Sequence, residues 1–190
     1  IYSVLFSSVG TVFVIVAHSY IFGAIDESHA MRESEPQMSK FMLDLVDSNP
    51  KVQIKHRFVP LDSISKKLQH AVIAVEDPSF YYHPGIDIRS IVTAVDANVT
   101  SGKLRYGGST ITQQLAKNLF LTGERTWERK VRELGYAFLM EYDLGKKRIL
   151  ELYLNYAQWG KDIFGCEAAS EAYYGVHCSQ LDSTQALNLA

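Results

Sequence analysis

Two acidic residues, Glu76 and Asp77, end an apolar run and stand directly before Pro78. Proline disfavours a helical conformation for the residue before it, so a helix is predicted to end at this pair. Loops that follow helices often border clefts, where a carboxylate can accept a proton from a hydroxyl group. The pair is a candidate for general base catalysis, with a solvated acidic turn as the plainer alternative.

A second polar segment leads from Gly107 and Gly108 into a predicted helix capped by Ser109. The free N–H groups at such a helix start favour an anion. Ser109, Gln113 and Lys117 follow at fourfold spacing and would share one helical face. A hydroxyl, an amide and an ammonium group in a row suit phosphate binding, although the P-loop spacing is absent from the sequence. An ordinary amphipathic helix is the alternative.

Basic residues continue into the next predicted helix, where Arg125, Arg129 and Glu133 also stand at fourfold spacing. They would lie on one face, either as a binding surface or as a solvated set of ion pairs. The later segment from Lys146 to Asn155 carries an apolar stripe that includes Tyr153, and we interpret it as structural.

The segments that must position these residues are mainly helical. Apolar periodicity predicts helices near 39–46, 63–75, 88–99, 109–121, 126–142 and 146–156, with two more at 167–174 and 183–190. Residues 51–59 alternate between apolar and polar, which is typical of a strand or an extended segment. The predicted fold class is therefore mainly α.

Residues 1–25 contain no Asp, Glu, Lys or Arg. A helix of this length rises about 37 Å, enough to cross a hydrocarbon core of about 30 Å. We predict one transmembrane anchor at 1–25, a juxtamembrane linker at 26–50 and a domain at 51–190. A cleaved signal peptide is the alternative for the first segment.

The overall composition excludes some classes of protein. The net charge of -2 gives no drive toward nucleic acid. Cys166 and Cys178 are too few for a disulfide scaffold, and we interpret them either as small apolar residues or as a pair. No dedicated metal motif occurs in the sequence, so its metal ligands are unknown at this stage.

Four motifs, found in the same order as in one known protein family, connect these segments. The chain resembles glycosyltransferase family 51, the peptidoglycan glycosyltransferases, whose motifs read EDxxFxxHxG, GxSTxTQQ, RKxxE and KxxILxxYLN. They stand here at 76–85, 107–114, 129–133 and 146–155. The segments 127–130 and 165–169 are similar to the monofunctional branch of the family.

The resemblance implies roles for the motif residues. Glu76 would be the base that takes the proton from an acceptor 4-hydroxyl. Glu133 would assist the leaving pyrophosphate or orient the basic residues around it. The implied substrate-binding residues are Ser109, Gln113, Gln114, Lys117, Arg125 and Arg129. The residues implied to shape the first motif are Asp77, Phe80 and His83.

The resemblance further implies a lysozyme-like, two-lobed helical fold that polymerises lipid II, with inversion, into β-1,4 glycan strands. It implies Mg²⁺ or Mn²⁺ bound with the substrate pyrophosphate, and no organic cofactor. The implied partners are lipid II, the growing glycan, membrane lipid and other cell-wall synthesis proteins. The implied location is the outer face of the bacterial cytoplasmic membrane. Because the family domain continues past Ala190, we expect a C-terminally truncated domain.

Other interpretations stay open at this point. A lysozyme-like hydrolase also uses two carboxylates, although it does not need a basic, amide-rich stripe. The chain could be the glycosyltransferase part of a bifunctional penicillin-binding protein, or a non-catalytic membrane-anchored module. Residues 63–66 match SxxK formally, but the partner motifs of a transpeptidase are absent from this sequence.

Overall fold

The computed structural model describes residues 23–103, 107–121, 123 and 126–190. This part of the chain is mainly helical, as the apolar periodicity predicts. Residues 23–30 form α1. The helices that follow are α2 (Lys40–Ser48), α3 (Lys66–Glu76), α4 (Ile88–Ser101), α5 (Ile111–Phe120), α6 (Trp127–Asp143), α7 (Gly145–Tyr156), α8 (Cys166–Tyr174) and α9 (Ser183–Leu189).

Two very short strands interrupt the helices. β1 (Lys55–His56) pairs in parallel with β2 (Ile163–Phe164). β1 lies within the segment for which alternation predicts a strand or extended chain. Its partner was not predicted, because two residues carry no recognisable period. Short 3-10 turns at Leu61–Ser63 and Cys178–Gln180 complete the described elements.

Helix α5 lies at the centre of the core. It packs against α6 and α7, while α9 packs along α3. Seven residues of α5 are buried: Ile111, Thr112, Gln113, Leu115, Ala116, Asn118 and Leu119. A helix enclosed on several sides buries residues all around its circumference, so its polar residues must find partners inside the protein.

The segment before β1 packs on this core. Met31 and Met42 belong to the hydrophobic core, and Met42 is fully buried. The Tyr156 hydroxyl donates to the carbonyl of Pro36 at 2.6 Å, and Arg148 donates to the carbonyl of Met31 at 2.9 Å. The residues expected to form a linker at 26–50 are thus folded against α5 and α7.

The predicted membrane anchor falls on residues 1–25, of which 1–22 lie outside the described residues. Within the described ranges, no helix combines the length and the apolar character needed to span a bilayer.

Helix α4 presents apolar side chains at its surface. Ile91, Val95 and Val99 stand at the predicted fourfold spacing, but all three are exposed, and Ala94 is the residue that α4 buries. The periodicity predicts the helix correctly but does not reveal which environment covers its apolar face.

We predict that Met42→Ala lowers the free energy of unfolding by about 2–5 kcal/mol, because it leaves a cavity in the core. Leu43→Ala is the matched control, since Leu43 is 45% exposed on the same helix and its loss should cost well under about 1 kcal/mol. Denaturant unfolding followed by circular dichroism measures both variants. Equal effects would show that α2 is not part of the cooperative core.

Candidate active site

The turn after α3 is organised by the carboxylate of Asp77. Helix α3 ends at Glu76, and Pro78 follows two residues later. Asp77 is only 3% exposed, and its carboxylate accepts hydrogen bonds from His83 Nε2 at 2.9 Å and from the backbone N–H of Ile111 at 3.1 Å. Since Ile111 begins α5, this carboxylate joins the end of one helix to the start of another.

His83 continues the network. The backbone N–H of Gly85 donates to His83 Nδ1 at 3.1 Å, so in the neutral ring the hydrogen lies on Nε2 and points at Asp77. The carbonyl of Gly85 accepts from the Thr110 hydroxyl at 2.6 Å. Three consecutive contacts therefore fasten the turn to the N-terminus of α5.

Phe80 fills the interior of the same turn and is fully buried. The Lys146 ammonium lies 4.5 Å from the centre of its ring and donates to the carbonyl of His83 at 2.7 Å. Asp77, Phe80 and His83 are thus all buried inside the turn.

Glu76 faces the other way. Its side chain is half-buried, and its Oε2 accepts a hydrogen bond from Gln114 Nε2 at 2.7 Å. Gln114 Oε1 in turn accepts from the Tyr153 hydroxyl at 3.1 Å. Burial, together with the negative charges of Glu76 and Asp77, raises the pKa of Tyr153, so this hydroxyl stays protonated and donates. The relay of donors fixes the orientation of the Glu76 carboxylate.

A cavity of about 260 Å³ opens beside Glu76 and Gln114. Its wall also includes Lys117, Asn118, Tyr153, Trp159 and Phe41. A carboxylate, an amide and a lysine from α3 and α5 thus share one polar depression, with aromatic rings at its side.

The start of α5 differs from the prediction at its cap. Thr110, not Ser109, caps the helix: its side chain accepts from the N–H of Gln113, whose Oε1 accepts from the N–H of Thr110 at 2.9 Å. Two adjacent hydroxyl residues make the capping position ambiguous in sequence. Gln113 is 1% exposed; its Oε1 serves the cap, while its buried Nε2 has no hydrogen-bond partner among the described residues. Gln114 lines the cavity.

Glu133 lies on α6 and is 3% exposed. Its carboxylate forms ion pairs with Arg129 at 2.9 Å and with Lys130. Lys130 also donates to the Ser109 hydroxyl at 3.3 Å. The structure therefore brings Glu133, Arg129 and Ser109 together through Lys130. Arg125, which the resemblance adds to this group, lies outside the described residues.

Sequence reasoning missed two of these residues. Tyr153 was interpreted as part of an apolar stripe, because its ring is buried and only its hydroxyl reaches the site. Lys130 was passed over for Arg129, because fourfold spacing favoured the latter. The i, i+3 spacing of Lys130 and Glu133 is the signal that predicts this ion pair.

Potential metal ligands cluster elsewhere. In the part of the chain that the structure describes, one group of three side chains has the necessary proximity, formed by Glu167, Glu171 and His177. Arg57 already forms ion pairs with both carboxylates. Burial raises the pKa of Glu167, but hydrogen bonds from His177, Cys178 and Arg57 outweigh this effect and lower the pKa to about 2. Arg57 thus partly compensates the charge of the two carboxylates.

Helices α3, α5 and α7 thus place Glu76, Gln114, Lys117 and Tyr153 around one cavity. A family model described as Transglycosylase matches residues 44–190. The chain belongs to the transglycosylase family.

Its relatives include three proteins named biosynthetic peptidoglycan transglycosylase. The chain is 49% identical over 146 residues to that of Janthinobacterium sp. (strain Marseille), covering 77% of this chain and 63% of the relative. It is 47% identical over 159 residues to that of Herminiimonas arsenicoxydans, covering 82% and 69%. It is 40% identical over 182 residues to that of Nitrosospira multiformis, covering 94% and 79%. The chain thus spans between 63% and 79% of the length of these relatives.

We predict that Gly85→Ala destabilises the protein by about 3 kcal/mol, because Gly85 has φ +89° and an added Cβ would lie 3.0 Å from Glu141 Cγ and 3.1 Å from the Ala137 carbonyl. Gly102→Ala is the matched control: Gly102 also has a positive φ, +63°, but open space around it. Its cost should be about 1–2 kcal/mol. Thermal unfolding compares them, and equal losses would mean that the close approach carries no cost.

Proposed function

We propose that this chain carries the glycosyltransferase activity that polymerises lipid II into β-1,4 glycan strands of peptidoglycan, with release of undecaprenyl pyrophosphate. The observation that carries the proposal is the Glu76–Gln114 hydrogen bond of 2.7 Å at the edge of a cavity that Lys117 also lines, in a chain of the transglycosylase family. Residues of the first, second and fourth motifs line this cavity: Glu76, Gln114 and Tyr153.

Glu76 is the proposed base. The reaction needs a carboxylate that accepts the proton of an acceptor hydroxyl while the oxygen attacks the donor sugar carbon. Because Gln114 holds one carboxylate oxygen and Tyr153 holds Gln114, the base is oriented before substrate arrives. Such preorganisation lowers the cost of aligning the reacting groups.

The leaving pyrophosphate gains negative charge in the transition state, so cations placed in advance stabilise it. Lys117, Arg129 and Lys130 are the proposed cations in the described part of the chain, and Arg125 is proposed from the resemblance alone. Glu133, paired with Arg129 and Lys130, is assigned the role of orienting them, while Ser109 and Gln114 position sugar and phosphate oxygens.

A divalent cation such as Mg²⁺ or Mn²⁺ is proposed as a companion of the pyrophosphate. Among the described residues, no set of three side-chain ligands surrounds Glu76 or Glu133, and the carboxylate of Glu133 is occupied by two cationic side chains. The residues therefore do not fit a protein-held metal centre, and the oxygens of the substrate would have to supply most of the ligands. No organic cofactor is part of the proposal.

The architecture proposed for the whole unit is a lysozyme-like, two-lobed domain at 51–190, with a membrane anchor at 1–25 and a juxtamembrane segment at 26–50. The exposed apolar face of α4, which includes Ile91, Val92 and Val95, supports contact with membrane lipid. These features favour a location in the cell envelope, on the outer face of the cytoplasmic membrane. Other cell-wall synthesis proteins are the further proposed partners.

We predict that Glu76→Gln lowers the rate of lipid II polymerisation at least about 100-fold without unfolding the protein, since the amide keeps the shape but cannot accept the proton. Asp47→Asn is the control, because it makes the same chemical change at an exposed position on α2. Gel analysis of labelled glycan chains measures the rate. Polymerisation by Glu76→Gln at the unmutated rate would refute the assignment of the base. Release of sugars from sacculi without chain growth would instead indicate a hydrolase.

We predict that Tyr153→Phe lowers kcat about 5–10-fold with little change in KM, because it removes one hydrogen bond of about 1 kcal/mol that orients Gln114. Tyr142→Phe is the control, since Tyr142 is 86% exposed. A pure stability effect would lower the amount of active enzyme and the melting temperature together. An unchanged kcat in folded Tyr153→Phe would show that the relay does not orient the base.

A further inference from the structure

The cavity beside Glu76 contains a polar side chain that the proposed catalysis does not use. Asn118 lies on α5, is 9% exposed and belongs to the lining of this cavity of about 260 Å³. Within the described part of the chain, its side-chain amide has no hydrogen-bond partner. Buried amides are nearly always paired, so an unpaired one in a cavity wall indicates a place where a bound molecule supplies the partner.

The other two amides of α5 are not available in this way. Gln114 uses both ends of its amide, one toward Glu76 and the other toward Tyr153. The unpaired Nε2 of Gln113 is fully enclosed, beyond the reach of a bound molecule. The amide of Asn118 is not enclosed, so its donor and its acceptor are both open to a molecule in the cavity.

The spacing along α5 places Asn118 near the proposed base. Asn118 follows Gln114 by four residues, so the two side chains lie on one face of the helix, about 5–6 Å apart. Gln114 in turn holds the carboxylate of Glu76 at 2.7 Å. A molecule that lies along α5 with a hydroxyl at Glu76 therefore meets Asn118 with a neighbouring substituent.

The chemistry of Asn118 and its surroundings selects the kind of substituent. A carboxamide has a donor and an acceptor, and an acetamido group presents the complementary acceptor and donor. Phe41 and Leu189 also line the cavity and offer apolar contact to a methyl group. A phosphate would use the donor of Asn118 alone, and a hydroxyl would leave the apolar contact unused.

We infer that Asn118 binds the 2-acetamido group of the acceptor sugar and thereby makes the site selective for 2-acetamido sugars. The inference rests on the proposed function, in which the 4-hydroxyl of this sugar gives its proton to Glu76. Carbons 2 and 4 of the sugar ring are separated by one ring carbon, so their substituents are spaced on the scale of one helical turn, about 5.4 Å. Asn118 binds the acceptor and takes no part in the transfer of the proton.

The first test compares two acceptor glycolipids that differ only at carbon 2, where one has an acetamido group and the other a hydroxyl. Both lack the pyrophosphate and cannot act as donors, and labelled lipid II is the donor for the full chain in detergent. We expect the unmutated chain to have a kcat/KM at least about fivefold higher for the acetamido acceptor, because the hydroxyl leaves the amide of Asn118 incompletely paired. Asn118→Leu should lower this ratio about 5–10-fold. Asn98→Leu is the matched control and should keep the ratio, because it makes the same change on α4, outside the cavity.

A binding measurement tests the inference without polymerisation. The same two compounds without their 4-hydroxyl cannot react, and calorimetry measures their Kd. We expect the unmutated chain to bind the 2-acetamido compound about 5–10-fold more tightly than the 2-hydroxy compound. Asn118→Ser, a smaller polar substitution that serves if Asn118→Leu folds poorly, should lose most of this difference.

The outcomes separate the inference from the proposed function. Equal or undetectable binding of the two compounds by the unmutated chain would overturn the inference, as would an unchanged preference in folded Asn118→Leu or Asn118→Ser. Polymerisation of lipid II with no preference that depends on Asn118 would overturn the inference alone. Preferential binding by a chain that does not polymerise lipid II would contradict the proposed function and leave the recognition of the acetamido group standing.

Discussion

The buried carboxylate of Asp77 is the contact on which the site depends. Burying a charge costs several kcal/mol unless nearby groups compensate it. Here the compensation comes from the imidazole of His83 and from an N–H at the positive end of α5. The carboxylate of Asp77 is held at the start of α5. Because Glu76 directly precedes Asp77, this contact also places the Glu76 carboxylate beside Gln114, which belongs to α5 as well.

The two acidic residues of this pair therefore have different tasks because their environments differ. Asp77 is enclosed and satisfied by donors from the protein, whereas Glu76 is half-buried and borders the cavity. The ion-paired cluster on α6 repeats this arrangement. Glu133 is enclosed between Arg129 and Lys130 and holds these long side chains in place. In both cases a buried acid holds a more accessible neighbouring group in one orientation.

The sequence predicted the mainly helical fold and the order of the helices, because the apolar period of 3.6 residues is strong over segments of this length. Of the residues named from the motifs and the helical spacing, Gln114 and Lys117 line the cavity beside Glu76. The cap of α5 was misassigned because Ser109 and Thr110 are both good capping residues, and a spacing rule cannot choose between them. Gln113 and Gln114 are equally adjacent in sequence, and only the packing of α5 decides which one faces the cavity.

Other features depend on tertiary contacts that leave no local pattern. Met42 lies in a short helix within the segment predicted as a linker, yet its side chain belongs to the core and its helix packs on α5. Tyr153 belongs to an apolar stripe in the sequence. Only the tertiary structure shows that its hydroxyl donates a hydrogen bond to Gln114. The pairing of β1 with β2 joins residues more than a hundred positions apart, beyond the reach of any period within either segment.

The few buried contacts of helix α4, one of them with Gly108, determine which part of the protein unfolds locally first. An added Cβ at Gly108 would lie 2.7 Å from the Cα of Ile91, so the loop before α5 touches the backbone of α4 directly. Beyond this approach and the cap at Asp87, α4 buries little more than Ala94. Elements with so few buried contacts exchange their amide hydrogens through local openings that require less free energy than global unfolding. In deuterium, the amides of α4 should therefore exchange before those of α5, which divides the protein into a protected helical centre and a surface helix that opens independently of it.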